Sequence, residues 1–253
     1  MLPLQIKSLQ HSIVKHCVKL RENGHYREQQ RSLLITGKKQ ILELPSNIPL
    51  INLFCLEGHT PIRSANNHYS VSDPILKKIS GLLAPEPYVA EIGLPMPKTQ
   101  KLERLLICDK VSDPGNLGTL LRTALSFNFD AVFLLEGCVD PFNDKVIRAA
   151  KGALFHLPLF IGNWQQLLSL QIQYNLNLYQ ADLEGPSLLD QSILLPFGLI
   201  LGNESHGTSK EAKEHAASIS IPISPSMDSL NVAIAGGVLM FNMSMLCQKS
   251  ITT

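Results

Sequence analysis

From Glu103 onward the chain alternates short apolar runs with amphipathic stretches of helical spacing, and this alternation limits the fold more than any other feature. The apolar runs are RLLICD at 104–109, AVFLL at 131–135, LPLF at 157–160, LNLYQA at 176–181, FGLILG at 197–202 and SISIPI at 218–223. Helical patterns fall at about 115–127, 143–151 and 164–171. Parallel strands need a crossover long enough to hold a helix, so strand and helix in alternation predict an α/β fold with a parallel sheet. A last helix, from about Leu230 to Cys247, sets Leu230, Ile234, Val238, Phe241 and Met245 on one stripe. Gly236 and Gly237 leave room for close backbone approach, so packing within or between subunits is its first task.

The first part of the chain reads differently. Residues 1–40 hold eight Lys or Arg against two Asp or Glu, although the whole chain has a formal net charge of only +1. Ile13 to Leu20 has the spacing of an amphipathic basic helix. A strand follows at 33–36, a helix at Lys38–Leu44, a strand at 50–56 and a helix at about 73–83, with Asp73 as its N-cap and Pro74 in its first turn. Four prolines and only one short strand candidate between Ala84 and Lys101 mark a boundary. A chain of 253 residues is long enough for two domains, expected at 1–97 and 98–253. A basic segment carrying Lys7, Lys15, Lys19, Arg21, Arg27, Arg31, Lys38 and Lys39 suits phosphate neutralisation, and a solvated helix face accounts for the same cluster from charge alone.

Several classes are excluded. No apolar run approaches the roughly 20 residues that span a bilayer, and the first residues lack the charged-then-apolar order of a secretion signal. A cytoplasmic protein without a membrane partner is expected. The five cysteines are odd in number and far apart, which predicts reduced, buried thiols. The eight histidines have no metal-ligand spacing. Neither G-x-G-x-x-G nor G-x-x-x-x-G-K-[ST] is present.

In open α/β sheets ligands bind beyond the C-terminal ends of the strands, and three such junctions are rich in polar and turn-forming residues. The first, DKVSDPGNLGTLLRTALSF at 109–127, is a turn entering a helix near Asn116 or Leu117. Arg122 falls about one and a half turns inside it, placed to meet an anion. From spacing alone, Asn116 as a cap and Arg122 paired with an acidic neighbour is an equal reading. The second is LILGNESHGTS at 199–209, where Gly202 and Gly207 bracket Asn203, Glu204, Ser205 and His206. Its string is G-x-x-S-x-G, not the nucleophile elbow of a hydrolase. The third is ISIPISPSMDSLNVAIAGG at 219–237, where Asp228 or Ser229 reads as the N-cap of the last helix.

Taken in order, D-P-G-N-L-G-x-x-x-R-T-A from Asp113 to Ala124, G-N-E at 202–204, and I-P-I with S-L-N within 221–231 resemble the SpoU (TrmH) branch of the SPOUT methyltransferases. R-A-A-K-G-A-L-F-H-L-P at 148–158 is similar too, with Ala150 where serine is commoner. Thr208 stands where leucine is frequent. The resemblance is dense over about 103–250. Residues about 5–95 look like the small α/β domain, similar to ribosomal protein L30e, that many members carry in front.

The resemblance implies a C-terminal domain with a deep trefoil knot, a homodimer, and S-adenosylmethionine as cofactor for methylating a ribose 2′-hydroxyl. It implies catalytic roles for Arg122, Asn116, Glu204, Ser229 and Asn231, and a cofactor site on Leu201, Gly202, Asn203, Ile221 and Leu230, with no metal. Contacts to RNA would come from Lys15, Lys19, Arg21, Arg27, Arg31, Lys38 and Arg148. Ribosomal RNA is favoured over tRNA. A tRNA 2′-O-methyltransferase and a non-catalytic RNA-binding protein of the same fold are the alternatives.

Overall fold

Parallel strands buried on both faces read as continuous apolar runs, and those of the second half are placed accordingly in a computed structural model that describes residues 3–95 and 101–249. The chain divides into two units, one built on residues up to Pro95 together with Phe142–Phe155, the other on the remainder.

The first unit contains β1 (Leu4–Ile6), α1 (Ser12–Glu22), α2 (Gly24–Gln30), β2 (Ser32–Thr36), α3 (Lys38–Glu43), β3 (Leu50–Leu56), β4 (Ala65–Val71), α4 (Asp73–Ser80) and β5 (Tyr88–Gly93). The sheet order is β1-β4-β3-β5-β2, with β1, β4 and β3 parallel and β5 antiparallel to both its neighbours. Val14, Cys17 and Leu20 of α1 and Ile75, Leu76 and Ile79 of α4 pack against Phe54 and Val89 of the sheet. Lys15 and Lys19 lie on the exposed side of α1.

Two sequence expectations change here, while β5 is the one short strand expected within the proline-rich boundary, where Pro85, Pro87 and Pro95 flank a run that contains none. β4, ANNHYSV, was not anticipated because its polar residues mask the strand pattern and only Val71 is fully buried. α4 ends at Ser80 with Gly81 as its left-handed C-cap, short of residue 83, and its N-cap is Ser72 and not Asp73.

The second unit carries β6 (Arg104–Cys108), α5 (Pro114–Ser126), β7 (Ala131–Leu135), β8 (Leu159–Gly162), α7 (Trp164–Tyr174), β9 (Asn177–Ala181), β10 (Phe197–Leu201), α8 (Lys210–His215), β11 (Ala217–Ile219) and α9 (Val232–Lys249), while α6 (Asp144–Ala150) is counted with the first unit. The sheet order is β11-β9-β10-β6-β7-β8 and every pairing is parallel. One face packs Leu105, Ile107, Phe133, Leu178 and Ile200 against Leu167 of α7 and Ala212 of α8. Neighbouring strand residues point to opposite faces. Leu201 therefore faces α9, where a Cβ on Gly236 would lie 2.6 Å from Leu201 Cδ1 and 2.5 Å from Leu120 Cδ2 of α5.

The expected apolar stripe of α9 faces outward from this chain. Ala233, Leu239, Met240 and Met243 are buried, while Ile234 is 59% and Phe241 47% exposed, with Leu230, Val238 and Met245 exposed beside them. The helix is thus apolar on two sides, and the anticipated stripe is not the one packed within the chain.

Cys17, Cys55 and Cys108 are buried and Cys138 is partly exposed, all as free thiols. Cys247 lies outside the residues whose side chains are described. Burial pushes the thiols of Cys55 and Cys138 up to about 11. Among the described residues, no helix is long and apolar enough to cross a membrane.

Candidate functional site

The apolar run of β10 ends at Leu201, and the next residue must be glycine, because a Cβ on Gly202 would sit 2.2 Å from the carbonyl carbon of Gly207. Asn203 and Gly207 exchange two backbone hydrogen bonds of 2.9 Å, closing a tight loop in which Gly207 takes φ +70°. The Asn203 side chain braces that loop from within and ties it to the segment after β6. Its Oδ1 accepts from the amides of Ser205 and His206, and its Nδ2 donates to the Lys110 carbonyl at 2.8 Å.

Glu204 is thereby aimed at the N-terminus of α5. That helix starts at Pro114, with Asp113 as N-cap accepting from the Asn116 amide at 2.8 Å. The Glu204 carboxylate accepts from Ser112 N and Oγ at 3.3 and 3.1 Å, from Asp113 N at 3.2 Å and from Asn116 Nδ2 at 3.0 Å. Burial works against its charged form. Hydrogen bonds from the Asn116 side chain and from the backbone of Glu204, Ser112 and Asp113 outweigh that effect and lower its pKa to about 2. The partial positive charge of the helix end acts in the same direction.

Asn116 also accepts at Oδ1 from Asn231 Nδ2, at 3.0 Å. Asn231 Oδ1 in turn accepts from the amides of Ala233 and Ile234, at 2.9 and 3.3 Å. Asn231, not Asp228 or Ser229, is therefore the cap of α9. Three of the five expected catalytic residues, Glu204, Asn116 and Asn231, form one hydrogen-bonded series joining the β10 loop to the starts of α5 and α9. Because each amide donates on one side and accepts on the other, the series fixes which way both asparagines face.

Arg122 stands apart from that series. α5 begins earlier than expected, so Arg122 lies over two turns inside it and, at about 1.5 Å per residue, roughly 9 Å along the axis from Asn116. It is exposed, and among the described residues no hydrogen bond or ion pair engages its guanidinium. Ser229 is exposed as well, with no side-chain hydrogen bond among the described residues.

A cavity of about 420 Å³ opens beyond the C-terminal ends of β9, β10 and β11. Leu201, Gly202, Asn203, Ile221 and Leu230 all line it, as do Glu204 and Ser229. Asn116, Arg122 and Asn231 are not on its wall. Asp182, Thr208 and Lys213 are, of which only Thr208 stands out in the sequence, as a departure within the second motif. The available signal was D-L-E-G-P directly after a strand, a turn sequence at the end of a strand where ligands bind. Among the described residues no group of three or more His, Cys, Asp or Glu is placed to hold a metal.

The basic residues of the first unit separate into two kinds. Lys15, Lys19, Arg31 and Lys38 are exposed. Arg27 is 4% exposed, and its Nη1 donates to the carbonyls of Leu20 and Arg21, so it holds the α1–α2 turn together and is not an RNA-facing residue. Arg21 is partly buried, donating to the Lys78 carbonyl at 2.7 Å and pairing with Glu22. Arg148 pairs with Asp144 at 2.6 Å within α6.

Residues 103–241, more than half of the chain, match the profile of the SpoU rRNA Methylase family. The 23S rRNA (guanosine(2553)-2′-O)-methyltransferase RlmP of Bacillus subtilis is 28% identical over 245 residues, covering 94% of this chain and 98% of its own. A crystal structure of an AdoMet-bound rRNA methyltransferase from Sinorhizobium meliloti matches with a TM-score of 0.83 at 25% identity, over 95% of this chain and 97% of that one. The SpoU methyltransferase AviRb from Streptomyces viridochromogenes shares the fold, with a TM-score of 0.85 at 20% identity over 95% and 99% of the two chains.

Proposed function

The chain belongs to the SpoU rRNA methylase family, and we propose that it methylates a ribose 2′-hydroxyl of ribosomal RNA with S-adenosylmethionine as methyl donor. The observation that carries this reading is the Glu204–Asn116–Asn231 series beside a cavity lined by all five residues expected to hold the cofactor. The cavity fits such a ligand. Its volume of about 420 Å³ suits a small molecule, and the absence of side chains at Gly202 and Gly207 leaves backbone groups to face an adenine and a folded methionine chain. When bound, the cofactor supplies a methyl group on a sulfonium, a strong leaving group, so that alignment is the main task left to the protein.

Leu201, Gly202, Asn203, Ile221 and Leu230 hold the cofactor. Glu204, Asn116 and Asn231, with Ser229, fix the geometry of the RNA nucleotide. A guanidinium stays protonated, with a pKa above about 12, so Arg122 serves by stabilising charge on the attacking oxygen or its neighbouring phosphate. Residues 1–97 form a substrate-binding domain similar to L30e, presenting Lys15, Lys19, Arg31 and Lys38 to phosphates, and 98–253 form the methyltransferase domain. Within the latter the segments that follow β10 and β11 thread a deep trefoil knot. The exposed side of α9 meets a second copy in a homodimer, since a contiguous apolar face of this kind is poorly suited to water. The protein acts in the cytoplasm.

The experiment is methyl transfer from labelled S-adenosylmethionine to ribosomal RNA and to tRNA from cells lacking the gene. Label in ribosomal RNA supports the reading. Label only in tRNA keeps the enzyme class and moves the substrate. RNA binding with no transfer to either favours the non-catalytic protein. In the same assay Arg122→Ala is expected to bind cofactor yet turn over about a hundredfold more slowly or worse, the scale of losing one group that stabilises developing charge.

A further inference from the structure

Two residues of the cavity wall, Thr208 and Asp182, are joined behind it by a series of polar side chains for which the site described above has no use. Gln180, on β9, is 1% exposed. Thr208 Oγ1 donates to Gln180 Oε1 at 2.6 Å, Gln180 Nε2 donates to Ser218 Oγ at 3.0 Å, and Ser218 Oγ donates to Asp182 Oδ2 at 3.4 Å. The donors all run one way. Gln180 spends its oxygen on Thr208 and its amide on Ser218, which leaves the Ser218 proton for the carboxylate. An apolar residue at 180 would satisfy the sheet with no polar group to desolvate, so a buried amide with a partner on each polar atom calls for a purpose beyond the fold.

The series ends on a side chain whose position is fixed from three sides. The Asp182 amide donates to the Ile219 carbonyl at 3.0 Å, Asp182 Oδ1 accepts from the Glu184 amide at 3.1 Å, and the Gly185 amide closes the turn on the Asp182 carbonyl at 3.1 Å. That turn is pressed against β11, since a Cβ on Gly185 would lie 2.9 Å from the backbone of Ser218 and Ile219. Asp182, Glu184 and Glu204 are the carboxylates on the cavity wall. Glu204 is engaged by Ser112, Asp113 and Asn116, and Glu184 is exposed at the tip of the turn. Asp182 alone is held through half-buried Ser218 by the buried pair Gln180 and Thr208.

A carboxylate offers about four acceptor positions, and each Asp182 oxygen has one protein donor, so one position on each oxygen is left. Two adjacent acceptors match two adjacent hydroxyls. An acidic residue just past the end of a parallel strand is how other nucleotide-binding α/β sheets read a ribose.

We infer that Asp182 recognises the vicinal hydroxyls of the cofactor's ribose and that Thr208, Gln180 and Ser218 position it, an inference that rests on the cofactor reading above. The test is calorimetric titration of the full chain with S-adenosylhomocysteine and with its 2′-deoxy and 3′-deoxy analogues, which needs no RNA and no turnover. The wild-type protein is expected to bind the parent about 10–100-fold more tightly than either analogue, the range for one hydrogen bond to a charged acceptor. Asp182→Ala and Asp182→Asn each narrow that ratio to within about threefold, and they weaken the analogues less than the parent, because each analogue keeps only one of the two hydroxyls. Thr208→Val, which keeps the shape and removes the donor, narrows the ratio partway and adds nothing in combination with Asp182→Asn, a pattern that mere loosening of the fold does not produce.

Asp182 variants that keep the full ratio, or that lose affinity for all three ligands in equal proportion, overturn the inference. So does a wild-type protein that binds parent and analogues alike, with the cofactor reading intact. A wild-type protein that binds none of the three overturns the cofactor reading, and this inference with it.

Discussion

Asn116 donates a 3.0 Å hydrogen bond to the carboxylate of Glu204, 88 residues away in the chain, and with its other side-chain atom accepts from Asn231. One amide thus ties together the loop after β10 and the starts of α5 and α9. The arrangement depends on Glu204 being ionised, because a neutral carboxyl would accept the Ser112, Asp113 and Asn116 donors less strongly.

The pH dependence follows with a definite sign. The folded pKa of Glu204 is depressed from 4.5 to about 2, so its stabilising effect is fully present above about pH 4.5 and is lost as pH falls toward 2. A carbon-detected NMR titration of the Glu204 carboxyl should show its midpoint near 2 in the wild-type protein. In Asn116→Ala the midpoint should move up toward 4.5. An unchanged midpoint would mean that Asn116 is not a principal partner.

Gly202→Ala puts a methyl group 2.2 Å from the backbone of Gly207, where no flexible side chain can yield. The loop must open. A stability loss of about 1–3 kcal/mol is expected from overpacking of this kind, with weakened binding of S-adenosylhomocysteine. Thermal unfolding and calorimetry measure the two effects, and wild-type values for both would contradict the loop geometry.

A buried carboxylate stabilises the first unit. Glu91 is 3% exposed and accepts from Ser32 Oγ at 2.8 Å and Asn52 Nδ2 at 2.5 Å, with His16 Nε2 at 3.0 Å. Burial opposes its ionisation, but the bonds from His16, Ser32 and Asn52 prevail and hold its pKa below 4.5, so its contribution is present at neutral pH and lost on acidification. Glu91→Ala leaves Ser32 and Asn52 buried without that acceptor. Urea unfolding should show a loss of about 3 kcal/mol at pH 7 and a smaller one near pH 4.

The exposed side of α9 is expected to hold two copies together. Ile234→Glu with Phe241→Glu places charges in the centre of that stripe, which buried packing does not tolerate. Sedimentation should show the wild-type protein at twice the chain mass of 27.9 kDa and the double variant at the single mass. Equal masses for both would remove this face from the interface.

Much of the sheet is legible in the chain, for a definite reason. Strands buried on both faces, such as AVFLL of β7, carry their signal in every residue. β4 is half polar and takes its place from its neighbours β1 and β3, information its own residues do not contain. The motif residues Asn116, Glu204 and Asn231 were legible as a set, but their mutual hydrogen bonds join segments far apart in sequence. Arg27 shows the converse limit. Its charge looks like a phosphate contact, and only the packed turn reveals that the guanidinium is consumed by two backbone carbonyls. The partnership of Asp182 and Thr208 through Gln180 is likewise a product of the sheet order, which sets β9 between β10 and β11.

The most direct test of the central claim is where the methyl group arrives. RNA labelled by the wild-type protein should be hydrolysed in alkali and the fragments separated. A 2′-O-methyl group removes the hydroxyl that drives alkaline cleavage, so ribose methylation places the label in an alkali-resistant dinucleotide. Label recovered in mononucleotides, on a base, would contradict 2′-O-methyl transfer at this site.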